Sequence, residues 1–256
     1  MATKQIPLEP EAPLLDFHPI IAKWFIEQIG RPTDVQTASW PIIRSGEHAL
    51  IAAPTGSGKT LAAFLASIDS LFHQAVCKDL TDQTQILYVS PLKALSNDVQ
   101  KNLRQPLTEI SARALEAGFL LPEIRVEVRT GDTSTKTRQA ILRRPPHILI
   151  TTPESLFLLL TARKSREILK TVRTVIIDEI HALAGNKRGS HLALSLERLD
   201  ALTQTKPNRI GLSATQKPLE DIAQFLAGGT RSTSKDKHPT WTPNPCHIVN
   251  MGQRRE

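Results

Sequence analysis

Eight residues, Ala53-Pro54-Thr55-Gly56-Ser57-Gly58-Lys59-Thr60, follow a short apolar run and precede a helical pattern. Glycines in such a turn let backbone N–H groups wrap a phosphate closely, in conformations that a side chain would obstruct. Lys59 can then reach β- and γ-phosphates, the Thr60 hydroxyl can hold Mg²⁺, and the start of the following helix favours an anion. Thr55, Gly56, Ser57, Gly58, Lys59 and Thr60 are therefore the candidate nucleotide ligands. Ala53 stands where the general pattern has glycine. A glycine-rich turn that binds nothing is the bland alternative, and the complete Gly-Lys-Thr ending in a strand-to-helix context argues against it.

A second candidate lies well downstream. The apolar run Thr174-Val175-Ile176-Ile177 leads into Asp178-Glu179-Ile180-His181, which puts two carboxylates at a strand end, where parallel sheets bind their ligands. Asp178 is placed to hold Mg²⁺, and Glu179 to orient and polarise an attacking water. Phosphoryl transfer depends mainly on positioning and charge neutralisation, so a metal-holding acid beside a water-orienting acid is the minimum it needs. Alone, an Asp-Glu pair is more often a solvated strand end; behind a phosphate-gripping loop it reads as functional.

These residues need a scaffold, and the periodicity supplies one. Strands are expected at Ala49–Ala53, Gln85–Val89, Arg125–Val128, His147–Thr151, Val172–Asp178, Arg209–Ser213 and Cys246–Asn250. Amphipathic helices are expected at Phe17–Ile29, Asp34–Arg44, Lys59–His73, Ala94–Ala117, Thr135–Leu142, Glu154–Leu160, Gly189–Leu202 and Leu219–Leu226. Strands alternating with helices require crossovers, which build a parallel sheet covered on both faces, a three-layer α/β sandwich. Residues 1–16, with three prolines among acids, read as an extended lead-in; 17–228 read as one domain; 229–256 read as a flexible segment and linker.

The composition agrees with a folded domain. Of 256 residues, 40% are hydrophobic and 22% charged, and the net charge of +7 suits a polyanionic partner. No apolar run reaches the ~18–20 residues that span a bilayer, and the start lacks a basic-then-apolar leader, so a cytoplasmic chain is expected. Cys77 and Cys246 have no metal-ligand spacing and suggest neither a zinc site nor a disulfide.

With those motifs in place the chain resembles the superfamily 2 helicases of the DEAD/DExH type, and within them the large helicase-related (Lhr) subfamily. Pro32-Thr33-Asp34-Val35-Gln36 looks like the adenine-reading Q motif, which implies that Gln36 hydrogen-bonds the base edge with Phe17 stacked nearby. Pro91-Leu92-Lys93-Ala94-Leu95 resembles motif Ia, Arg129-Thr130-Gly131-Asp132-Thr133 the segment after the next strand, and Thr152-Pro153-Glu154-Ser155-Leu156 motif Ib. The resemblance implies that Pro91, Lys93, Arg129, Gly131, Thr152, Pro153, Glu154 and Ser155 grip the backbone of one nucleic-acid strand, with Arg188 adding a contact. Six Lys or Arg residues against two acids between Arg125 and Arg144 put a basic bias near that track. Thr152 and Pro153 also fit a helix start, as N-cap and first residue. Ser213-Ala214-Thr215 looks like motif III, whose hydroxyls link the acidic motif to the track, with a hydrogen bond from His181 as the expected coupling. The extended match, Asp178 through His191 and Gly211 through Gln216, is what resembles Lhr proteins.

The implied fold is a RecA-like ATP-binding domain, and the implied activity is ATP- and Mg²⁺-dependent translocation on single-stranded or partly duplex nucleic acid, DNA before RNA, in DNA repair. Such motors use two RecA-like domains, and arginines of the second are worth ~10³–10⁵ in rate for related phosphoryl transfers. Nothing after Thr215 is long enough to be a second domain, so the chain is expected to bind ATP but hydrolyse it weakly. Two other readings stay open at this point: a P-loop NTPase acting without nucleic acid, and a non-catalytic nucleic-acid-binding fragment.

Overall fold

The computed structural model describes residues 12–91, 93–215, 218–231 and 241–252, with the side chains of 12, 93–98 and 100–102 outside the description. In chain order the elements are α1 (Pro19–Gln28), α2 (Asp34–Arg44), β1 (Ala49–Ala52), α3 (Lys59–Val76), β2 (Ile86–Val89), α4 (Lys93–Glu116), β3 (Val126–Arg129), α5 (Thr135–Arg143), β4 (Ile148–Thr151), α6 (Pro153–Thr161) and α7 (Arg163–Leu169). There follow β5 (Thr174–Ile177), α8 (Lys187–Asp200), β6 (Asn208–Ser213), α9 (Leu219–Ala227), β7 (Gly229–Arg231), β8 (Trp241–Pro243) and β9 (His247–Asn250).

Seven strands form one parallel sheet in the order β3-β4-β2-β5-β6-β1-β9. The four residues of β1, β2 and β4 are all buried, as expected of strands covered on both faces. Their side chains alternate between two cores: Ile51, Ile86 and Tyr88 pack with α1–α4, while Leu50, Leu87 and Val89 pack with the helices from α6 to α9. This is the expected three-layer sandwich. No helix among the described residues is long and apolar enough to cross a membrane.

Local chemistry sets the boundaries. Helix α2 starts with a capping box, Thr33 Oγ1 accepting from Gln36 N and Gln36 Oε1 accepting from Thr33 N. Helix α1 starts at Pro19, with His18 as its cap, so Phe17 lies before the helix and packs edge-on to Trp40 at 4.9 Å. Order also reaches further toward the N-terminus than the lead-in reading allowed: Ala12–Leu14 make a short 3₁₀ turn, and the Leu14 side chain is buried.

Three further differences have physical causes. Helix α7 went unread because its seven residues carry too few apolar positions to show a period; Ser165, Ile168 and Leu169 are what it buries. In the stretch expected to be a flexible segment, β7 and β8 pair antiparallel, and Gly229 lies against the Trp241 ring where a Cβ would be 2.3 Å from the indole. Strand β9 pairs in parallel with β1 and buries Val249, so this part of 229–256 belongs to the sheet.

Candidate nucleotide and nucleic-acid sites

Because all seven strands are parallel, their carboxyl ends share one edge. The loop from Ala53 to Gly58 leaves β1 there, and α3 begins at Lys59. Gly56 and Gly58 take φ of +80° and +87°, where other residues are strained. A Cβ on Gly58 would stand 2.7 Å from Gln36 Nε2, and Thr33 Oγ1 donates to Ser57 O at 3.0 Å, so the start of α2 is docked onto the loop. Lys59 Nζ donates to Ala53 O (2.6 Å) and Pro54 O (2.8 Å). Burial lowers the Lys59 pKa, against the nearby charges of Glu179 and Asp178. Ser57 Oγ is buried with no partner. A glycine-lined turn, an orphaned hydroxyl and an ammonium held at the loop are together a set that fits a polyphosphate.

A cavity of about 370 Å³ opens beside the loop, lined by Thr55, Gly56, Gly58, Lys59 and Thr60, by Asp178 and Glu179, and by apolar residues of α3 and α4. Among the described residues no group of three or more His, Cys, Asp or Glu side chains could hold a metal unaided. A Mg²⁺ ion keeps most of its water and takes one or two protein oxygens plus phosphates, so Thr60 and Asp178 are sufficient donors.

At the end of β5, Asp178 is held on both oxygens. Tyr88 Oη donates to Oδ2 at 2.5 Å, and Glu179 N donates to Oδ1 at 3.0 Å. Burial raises the Asp178 pKa, opposed by the Tyr88 and Glu179 hydrogen bonds and by Lys59 and His181. Tyr88, stacked on Phe64 at 4.8 Å, is a site residue the sequence reading missed. Its signal was slight: the one tyrosine of the chain, standing inside an otherwise aliphatic strand. Glu179 has φ +46° and ψ +41°, a left-handed conformation that costs a non-glycine residue roughly 1–2 kcal/mol and that clusters at functional sites.

His181 bridges outward from this strained residue. Its Nε2 lies 3.4 Å from Glu179 Oε2, and its Nδ1 accepts from Ala214 N at 3.2 Å. An accepting Nδ1 places the proton of the neutral ring on Nε2, facing Glu179. The expected hydrogen bond between His181 and the 213–215 segment is present, and it uses a backbone amide. The hydroxyls do not carry it: Ser213 Oγ donates to Ala214 O at 2.7 Å, and Thr215 is exposed.

The Q-motif residues differ from expectation. Gln36 is buried, with its oxygen used by the capping box and its amide nitrogen facing Gly58. Phe17 is a core residue, closed off by Trp40 and by the Arg44 guanidinium 4.9 Å above its ring, so it is not free to stack on a base.

The track segments do converge, at the ends of β3, β4 and β2. Arg129 donates to Thr130 O at 2.7 Å, and Arg138 reaches Gly131 O and Thr133 O at 2.7 and 2.8 Å. Burial and the neighbouring Arg138 lower the Arg129 pKa. Lys93 opens α4, and its side chain lies outside the described residues. The phosphate grip expected of Thr152 and Ser155 is not available: both are buried, with Thr152 Oγ1 accepting from Ser155 N and donating to Ser155 Oγ. Pro153 fills the first helical position, so α6 is capped from within. Arg188 is likewise engaged by protein, donating from Nε to Glu154 Oε1 (2.7 Å) and from Nη2 to Pro91 O (2.8 Å).

A family profile described as DEAD/DEAH box helicase matches residues 33–222, which holds the loop, the acidic strand end and the track together. The chain belongs to the DEAD/DEAH box helicase family. Within it, the chain is 53% identical over 221 residues to the Lhr helicase/probable uracil glycosylase of Mycolicibacterium smegmatis, covering 86% of this chain and 14% of that protein. It is 51% identical over 247 residues to the Lhr helicase/uracil glycosylase of Escherichia coli, covering 94% of this chain and 16% of that one. The ATP-dependent helicase Lhr-Core protein 2 of Thermococcus barophilus is 54% identical over 208 residues, 81% of this chain and 24% of the relative. This helicase-family chain thus spans 14–24% of the length of these three relatives. Among solved structures, the Mycobacterium smegmatis helicase Lhr bound to ssDNA and AMP-PNP has a TM-score of 0.82 at 49% identity, over 94% of this chain and 29% of that one. The DEAD-box helicase Mss116 bound to ssRNA and UDP-BeF matches in fold, with TM-score 0.75 at 17% identity over 98% of this chain and 47% of that one.

Proposed function

We propose that this chain is the ATP- and strand-binding motor domain of an ATP-dependent DNA helicase or translocase. The observation that carries the reading is the acidic end of β5, which lies between the phosphate-loop strand on one side and the strands of the 91, 129 and 152 segments on the other and is hydrogen-bonded toward both, Asp178 to Tyr88 of β2 and His181 to Ala214 past β6. In this reading the turn at Gly56–Gly58, Ser57 Oγ and the first amides of α3 cradle the phosphates, and Lys59 leaves its loop carbonyls for the β/γ oxygens. Thr60 and Asp178 would hold Mg²⁺, which when bound neutralises charge developing on the phosphoryl oxygens. Glu179, steadied by the proton on His181 Nε2, orients the attacking water. Lys93, Arg129 and the backbone around Gly131 meet the strand, while Thr152, Pro153 and Ser155 shape the turn beside it.

Single-stranded DNA is favoured over RNA because the relative seen with ssDNA is 49% identical, whereas the RNA-bound one shares only the fold. Two relatives carry helicase and uracil glycosylase in one name, which supports a DNA-repair setting; a cytoplasmic location is proposed with it. Full turnover on this view needs arginines of a second RecA-like domain: Lys59 is the sole cation among the described residues lining the cavity.

Titrating a fluorescent ATP analogue with Mg²⁺ tests the loop. Removing one charge-assisted partner costs about 1.5–3 kcal/mol, so Lys59→Ala should weaken binding roughly tenfold to a hundredfold. Labelled single-stranded DNA should bind with an affinity that falls as salt rises, by about 0.7 log units per log unit of salt for each phosphate engaged. Unchanged nucleotide affinity in the variant, or DNA binding indifferent to salt, would turn the assignment toward an NTPase without nucleic acid or a non-catalytic fragment. Unlabelled RNA of the same sequence that competes as well as DNA would overturn the DNA preference.

A further inference from the structure

An acid on a path for a polyanion needs an explanation, and Glu154, in the first turn of α6, is such an acid. Its partner is Arg188, the second residue of α8, whose fork is divided: Nε–H goes to Glu154 Oε1 at 2.7 Å and Nη2–H to Pro91 O at 2.8 Å. Pro91 follows β2 and Glu154 follows β4, and these strands are neighbours in the sheet. Burial would raise the Glu154 pKa, but its hydrogen bonds, the one from Arg188 first, lower it on balance. A planar guanidinium can make both contacts at once; an ammonium has no such fork.

Arg188 is also fixed from behind. Between Glu179 and Arg188 the chain is cross-braced: Ala184 N donates to Ile180 O (3.0 Å), Asn186 Nδ2 donates to Ala182 O (2.7 Å), and Asn186 Oδ1 caps α8 by accepting from Gly189 N (3.1 Å). Gly189 is pressed so closely onto Leu183 that a Cβ would lie 2.0 Å from its carbonyl oxygen. The segment from 179 to 189 is thus a stiff strut with the water-orienting acid at one end and a two-pronged side chain at the other.

We infer that Arg188 is a positioning residue that sets the register of the 91 and 154 segments and carries movement of the Glu179 strut to them, rather than a ligand of the phosphate backbone. This rests on the strand-binding reading above and departs from the expectation that Arg188 and Glu154 touch nucleic acid.

The test compares Arg188→Ala, Arg188→Lys and Glu154→Gln with the parent chain. Binding of a labelled single-stranded DNA is measured across a salt series, with and without a Mg²⁺–nucleotide analogue. Each variant should bind DNA about threefold to thirtyfold more weakly and lose the mutual enhancement between DNA and nucleotide, while the slope of log Kd against log salt stays at the parental value. Glu154→Gln gives the decisive sign. If Glu154 merely faces the backbone, removing its charge tightens DNA binding; if it holds Arg188, the same change weakens it. Glu154→Gln is nearly isosteric on an exposed pair, so its thermal midpoint should stay within about 4 °C of the parent even if Arg188→Ala fails to fold. Tighter binding by Glu154→Gln, parental binding by Arg188→Lys, or a slope reduced by about 0.7 in Arg188→Ala would overturn the inference and leave the strand-binding reading intact. A parent chain with no salt-dependent DNA binding would overturn both.

Discussion

Replacing Gly58 by alanine tests whether the phosphate loop and the start of α2 form one unit. Two costs can be worked out separately. At φ +87° an alanine carries the left-handed penalty of roughly 1–2 kcal/mol. Its Cβ would also stand 2.7 Å from Gln36 Nε2 and 3.3 Å from Gln36 Cδ. The amide is the end of a flexible side chain, but it is buried, and its oxygen accepts from Thr33 N at 2.9 Å. Swinging it away gives up that bond, about 0.5–1.5 kcal/mol. The sum is about 1.5–3.5 kcal/mol, or roughly 3–14 °C in Tm for a chain of this size. Gly56 supplies the comparison: φ is +80° and nothing lies within 4 Å, so Gly56→Ala should show the backbone term alone. Denaturant unfolding of Gly58→Ala, Gly56→Ala, Gln36→Ala and the Gln36→Ala/Gly58→Ala pair completes a double-mutant cycle. With Gln36 shortened, Gly58→Ala should cost no more than Gly56→Ala. Equal cost of Gly58→Ala in both backgrounds would refute the docking argument.

Asp178→Asn should raise Tm at pH 7 while abolishing Mg²⁺-dependent nucleotide binding. Burial raises the Asp178 pKa, so its ionised form is penalised in the folded state; the penalty is present above the folded value and gone below the unfolded value of about 3.9, and the gain in Tm should vanish in that range. A Tm at pH 7 no higher than the parent's would contradict the burial account. Arg209, fully buried in β6, donates to Leu226 O (3.0 Å) and pairs with Asp200 (2.8 Å) and the more exposed Glu197 (3.0 Å). Arg209→Met should cost about 3–5 kcal/mol by stranding Asp200, and adding Asp200→Leu should recover most of it in urea unfolding; a loss that the second change deepens would show that packing, not charge, is at stake.

The sheet was legible because its inner strands are short apolar runs buried on both faces, separated by helices with a clear period. All seven were expected within a few residues of where they lie. The chemistry-bearing turns were legible for a different reason: the Gly56–Thr60 turn and Asp178–Glu179 sit where strand ends dictate, whatever the packing around them. Side-chain direction was not legible. The Thr152-Pro153 pair did announce a cap for α6, but not that the cap buries the Thr152 and Ser155 hydroxyls together, and nothing in Ser213-Ala214-Thr215 says that the backbone amide, not the hydroxyls, meets His181. Tyr88 and the Arg188–Glu154 pair escaped because each joins residues at least 34 positions apart, whose adjacency depends on the strand order.

That order explains why the strut leaves from β5. Across the carboxyl edge, β3, β4 and β2 carry the track segments, β6 and β1 carry the 213–215 turn and the phosphate loop, and β5 lies between. At about 4.8 Å per strand, the edge from β3 to β1 spans roughly 24 Å, too far for direct contact between its ends. Residues at the end of β5 have β2 on one side and β6 on the other, and they use both: Asp178 takes the Tyr88 hydroxyl of β2, and His181 takes the Ala214 amide just past β6. A strained Glu179 at that junction persists only because its neighbours fix it. Any shift of the acid on a change of phosphate charge must therefore disturb a contact toward β6, a contact toward β2, or the braced segment that ends in Arg188. On the proposed strand-binding reading, coupling between nucleotide and strand would need no motion of the sheet itself, only a rearrangement of one loop at its centre.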